Sequence, residues 1–223
     1  MTPAIFKAYD IRGLYPEELN EEIAERVGNA SAQFFSSQGI VVGMDHRASS
    51  PLLKDSLIRG ITLGGVDVID IGVVTTPCGY FASHHFSLPA IIITASHNPP
   101  EYNGMKFCLP DAVPVGKDTG LLTIRDLADG APVRSEKQGH IKKTSVTGKY
   151  FDFLSTQYHL EEKHTIVLDT ASAMGIEDIP FWKDQRHIHV LDTLYDSYKN
   201  ACPHEANPMK PETLHELGEV VKR

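Results

Sequence analysis

Short apolar runs alternate with amphipathic stretches along the first hundred residues, and this alternation is the strongest constraint on the fold. Residues 40–44, IVVGM, are continuously apolar, which is typical of a strand buried on both faces. Residues 20–39 precede this run with apolar side chains at helical spacing, with Asn20 as the expected N-cap and Gly39 as the expected helix end. The pattern predicts an α/β sheet with helical layers, in which ligands bind at the carboxyl ends of the strands.

The same alternation continues to residue 109. A second helix is expected at 50–64, with Ser50 as its cap and Pro51 as its first helical residue. The other elements expected in this part are strands at 66–71, 89–95 and 105–109 and a short helix at 77–86.

A polar stretch without apolar periodicity, residues 129–148, divides the chain. We therefore place a first domain at 1–135, a linker at 136–148 and a partial second domain at 149–223. The elements expected after the linker are helices at 149–158, 175–184 and 211–222 and strands at 165–169 and 187–191. Because about two strands are fewer than a sheet usually has, two interpretations stay open: a small α+β appendage docked on the first domain, or an incomplete second α/β domain of similar type.

The charge balance argues against several partners. The chain has 21 basic and 29 acidic residues and a net charge of −8, without the clustered Lys and Arg that nucleic acids and anionic membranes attract. No apolar run approaches the roughly 18 residues of a spanning helix, and the first residues, MTPAIFK, lack the features of a signal peptide. Cys78, Cys108 and Cys202 are widely spaced, which favours reduced packing residues. We expect a cytoplasmic protein that binds neither nucleic acid nor membrane.

One loop carries groups suited to catalysis. The apolar residues 91–93 lead into 94–104, TASHNPPEYNG, in which two prolines and an Asn-Gly pair limit the conformers and hold the hydroxyl of Ser96 on a rigid support. Ser96 lacks the G-x-S-x-G elbow of many serine hydrolases. Phosphoryl transfer needs an exposed hydroxyl, a divalent cation and positive groups, and Lys106 could supply one positive charge. The residue types alone leave an ordinary capped loop equally open.

Residues 94–106, TASHNPPEYNGMK, resemble the phosphoserine loop of the α-D-phosphohexomutases, in the form found in bacterial phosphomannomutase/phosphoglucomutase. Further segments resemble family motifs in the same order. These are 9–13 (YDIRG), 42–47 (VGMDHR), 72–77 (GVVTTP), 167–170 (VLDT) and 204–208 (HEANP). The resemblance covers essentially the whole chain and implies a three-layer α/β/α first domain with a mixed sheet, as in the N-terminal portion of such an enzyme.

The resemblance implies an isomerase of the intramolecular phosphotransferase type, which moves phosphate between the 1- and 6-positions of a hexose. Ser96 would carry the phosphoryl group and ligate Mg²⁺ through it. His97 and Asn98 would shape the loop around Ser96, His97 as a catalytic residue and Asn98 as a substrate-binding one. A hexose 1,6-bisphosphate is the implied activator and a hexose phosphate the implied substrate.

Four more site residues follow from the resemblance. Arg12 and Lys106 would be catalytic cations near the transferred phosphate and candidates for proton exchange with the sugar. Tyr9 and Arg47 would support the site as substrate-binding residues.

Other family segments are missing from these 223 residues. They include the D-x-D-x-D-R metal loop, the sugar-recognition motif and the C-terminal phosphate loop. We therefore expect the chain to be inactive alone, and a complementary chain with the missing domains is an implied partner. Residues 170–175, TASAMG, replace a glycine-rich turn, which we expect to exclude backbone with positive φ, and residues 198–203 lack an expected Asp-Gly pair. The open alternatives are a non-catalytic phosphosugar- or protein-binding module and one half of a split mutase.

Overall fold

A computed structural model describes residues 3–157, 159–198 and 204–222. The contacts form two compact units, Met1–Ser96 with Pro100–Thr147, and His97–Pro99 with Gly148–Arg223. The main elements up to residue 143 are β1 (Ile11–Leu14), α1 (Glu21–Phe35), β2 (Gly39–Met44), α2 (Ser50–Leu63), β3 (Asp67–Val73), α3 (Thr76–Phe86), β4 (Ala90–Ile93), β5 (Tyr102–Leu109), β6 (Val113–Pro114), α4 (Leu121–Asp129) and β7 (Ile141–Lys143). The later ones are α5 (Thr147–Gln157), β8 (His164–Asp169), α6 (Ile179–Lys183), β9 (Ile188–Leu194) and α7 (His215–Val221).

In the part of the chain that the structure describes, the first unit contains a seven-stranded mixed sheet. Its order is β1-β5-β4-β2-β3-β7, and β6 pairs with β5. The strands β4, β2, β3 and β7 are parallel to one another, whereas β5 is antiparallel to both β4 and β1. Two antiparallel steps give β1 the same direction as β4.

Helices cover both faces of this sheet. Val42 and Ile91 are paired residues of β2 and β4, and both lie in the core cluster with side chains from α1, α2 and α4. Ile92 points to the opposite face because side chains alternate along a strand. There α3 packs so closely that a Cβ on Gly79 would collide with the Ile92 side chain. The three-layer α/β/α architecture with a mixed sheet is therefore confirmed.

Helix α1 starts as predicted and ends earlier. The side chain of Asn20 accepts a hydrogen bond from the backbone N–H of Ile23 at 3.1 Å, so Asn20 is the N-cap. The helix ends at Phe35, where Ser36 takes the left-handed conformation (φ 45°) expected of a glycine. Gly39, the predicted stop, is instead the first residue of β2.

Helix α2 also differs at its start. Ser50, the predicted cap, is already helical, and Ser49 occupies the cap position without a side-chain cap bond. The hydroxyl of Ser50 instead donates to Oδ1 of Asp45 at 2.6 Å and accepts from the side-chain amide of Asn103 at 3.0 Å.

Three short strands, β1, β6 and β7, were not predicted, because two to four residues are too few to show a period. Strand β7 lies within 136–148, the segment predicted as a linker, and its residues are exposed, so the sequence shows no apolar pattern there. The placement of the domain boundaries at 135 and 149 stays a prediction. The Asn-Gly pair expected in the loop belongs to β5, where Asn103 pairs with Gly13 and Gly104 with Arg12 of β1. The buried amide of Asn103 donates to the hydroxyls of Ser49 (2.8 Å) and Ser50 (3.0 Å).

Between residues 159 and 198, β8 and β9 form a parallel pair. The helix predicted at 175–184 is split into a 3-10 turn, Met174–Asp178, and α6, because Pro180 lies in the first turn of α6. The helix predicted at 211–222 likewise begins as a 3-10 turn, Pro211–Leu214. Tyr158 and residues 199–203, which include Cys202 and most of the segment expected to lack Asp-Gly, lie outside the described residues. Cys78 and Cys108 are buried, as packing residues are expected to be.

The turn after β8 corrects one expectation. Ala171 and Ser172 both have positive φ, 50° and 52°, although losing the glycines was expected to exclude that backbone. The turn therefore keeps the left-handed shape with residues that tolerate it poorly, at about 1–2 kcal/mol each. Ser172 is fully buried, and its hydroxyl has no hydrogen-bond partner within the described ranges.

Candidate functional site

Ser96 lies just beyond the carboxyl end of β4, on a constrained turn. Thr94 stays attached to the sheet through its N–H, which donates to the carbonyl oxygen of Gly104 at 3.0 Å. The N–H of Ser96 then donates to the Thr94 hydroxyl at 2.9 Å. Ser96 takes a positive φ of 57° and is exposed. Left-handed backbone at a serine is uncommon and is found where the surroundings enforce it, often at functional sites.

Arg47, which follows the carboxyl end of β2, enforces this conformation. Its Nη2 donates to the carbonyl oxygen of Ser96 at 2.9 Å and its Nη1 to that of Tyr102 at 3.0 Å. Its Nε donates to Oδ2 of Asp45 at 3.1 Å, and Asp45 also accepts from the Ser50 hydroxyl. The Arg47 side chain is 10% exposed. Its guanidinium thus connects both ends of the loop to the sheet and to α2.

Arg12 and Lys106 lie on one face of the sheet. Arg12 of β1 pairs with Gly104 of β5, and Lys106 is two residues further along β5, so the alternation of side chains puts both on the same face. Lys106 also pairs with Ile92, which identifies this face as the one that α3 covers. Both cations bind one oxygen of Asp10: Nη2 of Arg12 lies 2.6 Å and Nζ of Lys106 3.3 Å from Oδ2.

A close approach of three strands connects the cations with the serine loop. A Cβ on Gly104 would overlap the carbonyl oxygen of Ile11 and lie 2.9 Å from that of Thr94. A glycine is therefore required where β1, β5 and β4 meet. Gly104 pairs with Arg12 on one side and accepts a hydrogen bond from Thr94 on the other. Thr94 is two residues before Ser96, so Arg12 is two strands away from the start of the serine loop.

The remaining predicted residues are placed less distinctly. Tyr9 is 78% exposed in the turn before β1, which is closed by a bond from the N–H of Lys7 to the carbonyl oxygen of Asp10 at 2.8 Å. His97 is exposed and Asn98 half-buried in the turn after Ser96. The structure thus brings together Arg12 with Lys106 and Ser96 with Arg47, while the catalytic and binding roles of all seven residues stay predictions.

Sequence reasoning missed Asp10 and Asp45, the carboxylates that hold the cationic side chains. Both are buried, at 4% exposure. Each precedes its arginine by two residues, as D-x-R in residues 10–12 and 45–47, and this spacing is a signal that could have identified them. Asp10 also affects α3: burial raises the pKa of Tyr80, and electrostatic interactions with Cys108 and Asp10 raise it further.

The residues described around Ser96 do not by themselves make up a magnesium site. A phosphorylated Ser96 would offer phosphate oxygens, but within residues 3–157, 159–198 and 204–222 no group of three His, Cys, Asp or Glu side chains is arranged to hold a metal ion. No helix in these ranges has the length and apolar character to cross a membrane.

The fold and the loop define a three-layer α/β/α domain with an exposed serine at the end of a central strand. A family model described as "Phosphoglucomutase/phosphomannomutase, alpha/beta/alpha domain I" matches residues 3–131. The chain therefore belongs to the phosphoglucomutase/phosphomannomutase family.

Relatives are similar in sequence and in structure. A phosphomannomutase of Escherichia coli is 46% identical over 153 residues, which are 67% of this chain and 34% of that protein. A protein of Xanthomonas campestris pv. campestris named "Phosphohexose mutases" is 44% identical over an alignment of 234 positions, covering 100% of this chain and 50% of that protein. A crystal structure of a phosphoglucomutase/phosphomannomutase family protein from Burkholderia thailandensis matches with a TM-score of 0.85 at 28% identity, covering 98% of this chain and 50% of that one. The chain thus spans between a third and a half of the length of these relatives.

Proposed function

We propose that this chain takes part in intramolecular phosphoryl transfer on a hexose phosphate, between the 1- and 6-positions, with Ser96 as the group that carries the phosphate. The observation that carries the proposal is that Ser96 is an exposed residue on a turn with left-handed backbone, whose carbonyl oxygen accepts a hydrogen bond from Arg47. Family membership and the names of the relatives, phosphomannomutase and phosphohexose mutases, support the reaction class.

The first half-reaction forms a phosphoserine. Ser96 Oγ attacks a phosphorus of a hexose 1,6-bisphosphate, a new O–P bond forms, and the bond from that phosphorus to the sugar oxygen breaks. The proton of the serine hydroxyl passes to the departing sugar oxygen, so that a hexose monophosphate leaves. Lys106 is our candidate for relaying this proton.

Positive charge near the transferred group is the other requirement of phosphoryl transfer, because its oxygens carry negative charge throughout. Arg12 and Lys106 meet this requirement as a pair whose two positive charges are only partly compensated by Asp10. No step is assigned to a metal ion, since the described residues do not make up a site for one.

Phosphorylation of Ser96 is the test. The purified 223-residue chain is incubated with glucose 1,6-bisphosphate and Mg²⁺, and intact-mass spectrometry with peptide mapping measures phosphoryl uptake. Complete mutase turnover by this chain alone is not expected, but this half-reaction involves Ser96, Arg12 and Lys106, which all belong to the first unit. We therefore expect phosphoryl uptake at Ser96, and none in Ser96→Ala. Mapping of the phosphoryl group to another residue, or no uptake at all, would contradict the proposal.

Ser87 provides a matched control. It is also an exposed serine of the same unit with a positive φ, 53°. Ser87 lies between α3 and the start of β4, however, whereas Ser96 follows the end of β4. Ser87→Ala is expected to be phosphorylated like the unmodified chain. A similar loss in both variants would indicate a nonspecific effect of removing a left-handed serine.

A further inference from the structure

Asp10 joins two cations through one oxygen atom. Its Oδ2 accepts from Nη2 of Arg12 at 2.6 Å and from Nζ of Lys106 at 3.3 Å. The Asp10 side chain is 6% exposed, against 27% for Arg12 and 23% for Lys106. The carboxylate is therefore the buried end of the group, and the two cations are its solvent-facing ends.

The three side chains together keep one positive charge. A buried carboxylate without a cation is strongly unfavourable, and two adjacent cations without a carboxylate repel each other. The carboxylate of Asp10 therefore stabilises the close placement of Arg12 and Lys106, and the two cations stabilise the buried carboxylate. Nε of Arg12 is buried and has no hydrogen-bond partner among the residues that the structure describes. Because buried N–H groups are almost always satisfied, this donor indicates an oxygen supplied from outside the chain.

We propose that Asp10 is a positioning residue, which holds Arg12 and Lys106 as one preformed binding unit for an oxyanion. The inference rests on the proposed phosphoryl transfer for the identity of that oxyanion, a phosphate group. Long side chains lose rotamer freedom when they bind a ligand. Asp10 fixes both cationic side chains before the phosphate binds, so less conformational entropy is lost in the binding step itself.

The experiment compares phosphate binding by the full chain and by Asp10→Asn. Inorganic phosphate is titrated in, and binding is followed by NMR at the arginine Nε–H resonance that Arg12→Lys identifies. Asn keeps the shape of Asp but removes its charge, so a role as mere counter-ion predicts tighter binding. The positioning role predicts binding weaker by about threefold or more, with the loss persisting at high ionic strength, where the added charge is screened.

Asp70→Asn is the matched control. Asp70 is also a buried aspartate of this unit that accepts from a cation, Nζ of Lys54 at 2.8 Å, but it lies on β3, which β2 separates from β4. This control is expected to bind phosphate as the unmodified chain does. If Asp10→Asn does not fold, Asp10→Glu replaces it: the charge is kept, the carboxylate is displaced, and weaker binding is again expected.

The two proposals fail in different ways. Unchanged or tighter phosphate binding in Asp10→Asn, or no binding by the unmodified chain, would overturn the positioning role. Phosphate binding that depends on Asp10, without phosphoryl uptake at Ser96, would overturn the phosphotransferase proposal and support the role of Asp10.

Discussion

Arg47 donates from Nη2 to the carbonyl oxygen of Ser96 at 2.9 Å, across 49 residues of sequence. The same guanidinium binds the carbonyl oxygen of Tyr102, so both ends of the loop are attached to one side chain. The backbone of the loop thus has its hydrogen-bonding partner in a different segment, just beyond the carboxyl end of β2.

Replacing Arg47 with lysine should loosen the loop. Lys keeps the charge but cannot reach two carbonyl oxygens and Asp45 at once, because it lacks the planar fork of guanidinium. We expect a loss of about 2 kcal/mol in the free energy of unfolding and faster amide exchange over residues 96–102, measured by urea denaturation and hydrogen exchange. Arg59→Lys, which changes an exposed ion pair with Glu25, should have little effect. Equal results for both variants would show that Arg47 does not restrain the loop.

Adding one methyl group at Gly104 should disrupt the junction of three strands. In Gly104→Ala the new Cβ collides with the backbone carbonyl oxygens of Ile11 in β1 and of Thr94, which follows β4, and these cannot rotate away as a side chain can. We expect the free energy of unfolding to fall by about 3 kcal/mol and the binding of phosphate to be weaker. Gly148→Ala is the control, since a Cβ there meets no atom within 4 Å, and an alanine in the first turn of α5 should leave the free energy of unfolding unchanged or slightly higher. A well-folded Gly104→Ala with unchanged phosphate binding would contradict this account.

Asp178 should make the second unit less stable as the pH rises. Burial and the nearby charge of Glu177 raise its pKa from 3.8 to about 6. Between these values the folded chain holds a proton that the unfolded chain has lost, so stability falls from about pH 4 to about pH 6 and is constant above. Asp178→Asn removes this pH-dependent loss of stability. The variant should therefore raise the free energy of unfolding of the second unit by about 1 kcal/mol at about pH 7, allowing for solvent screening, and should give no gain at about pH 4.

Fluorescence of Trp182, the single tryptophan, reports unfolding of that unit. Asp152→Asn changes an exposed aspartate of α5 and serves as the control. A gain for Asp178→Asn that is the same at both pH values would mean that the carboxyl group does not titrate in this range.

Glycine at position 172 should stabilise the turn after β8. Ser172→Gly relieves a left-handed serine and removes a buried hydroxyl without a partner in the described residues, and we expect a gain of about 1 kcal/mol. Ala173→Gly is the matched control: its φ is −119°, so glycine there should only add disorder to the unfolded chain and destabilise by about 0.5–1 kcal/mol. Destabilisation by both substitutions, measured through Trp182, would show that the turn is not strained.

The central strands and helices could be predicted because burial leaves a clear pattern. Residues 40–44 and 91–93 are continuously apolar and became β2 and β4, and the position of Ser96 at a strand end followed from the second run. The short strand β1 could not be predicted, since its four residues alternate between buried and half-buried and include an arginine. Its place beside β5 depends on pairing with a distant segment.

The functions of charged side chains within the site were harder to foresee. The position of Arg47 was predicted, but hydrogen bonds from its guanidinium to backbone carbonyl oxygens have no sequence signal. The contact between Asp10 and Lys106 could not be foreseen, because the two residues are 96 positions apart along the chain. The left-handed backbone at Ser96 could not be predicted either, because serine rarely adopts this conformation and glycine usually does.

The position of β1 beside β5 also determines when the cation pair can form during synthesis. Arg12 of β1 is synthesised before β5, the strand with which it pairs, and three helices and three strands (α1 to β4) lie between them in sequence. Such non-local pairing closes late, because a long loop must be ordered first. A nascent chain that had just reached Ser96 would contain Arg12 but not Lys106, and it would lack β5, the strand that lies between β1 and β4 in the sheet.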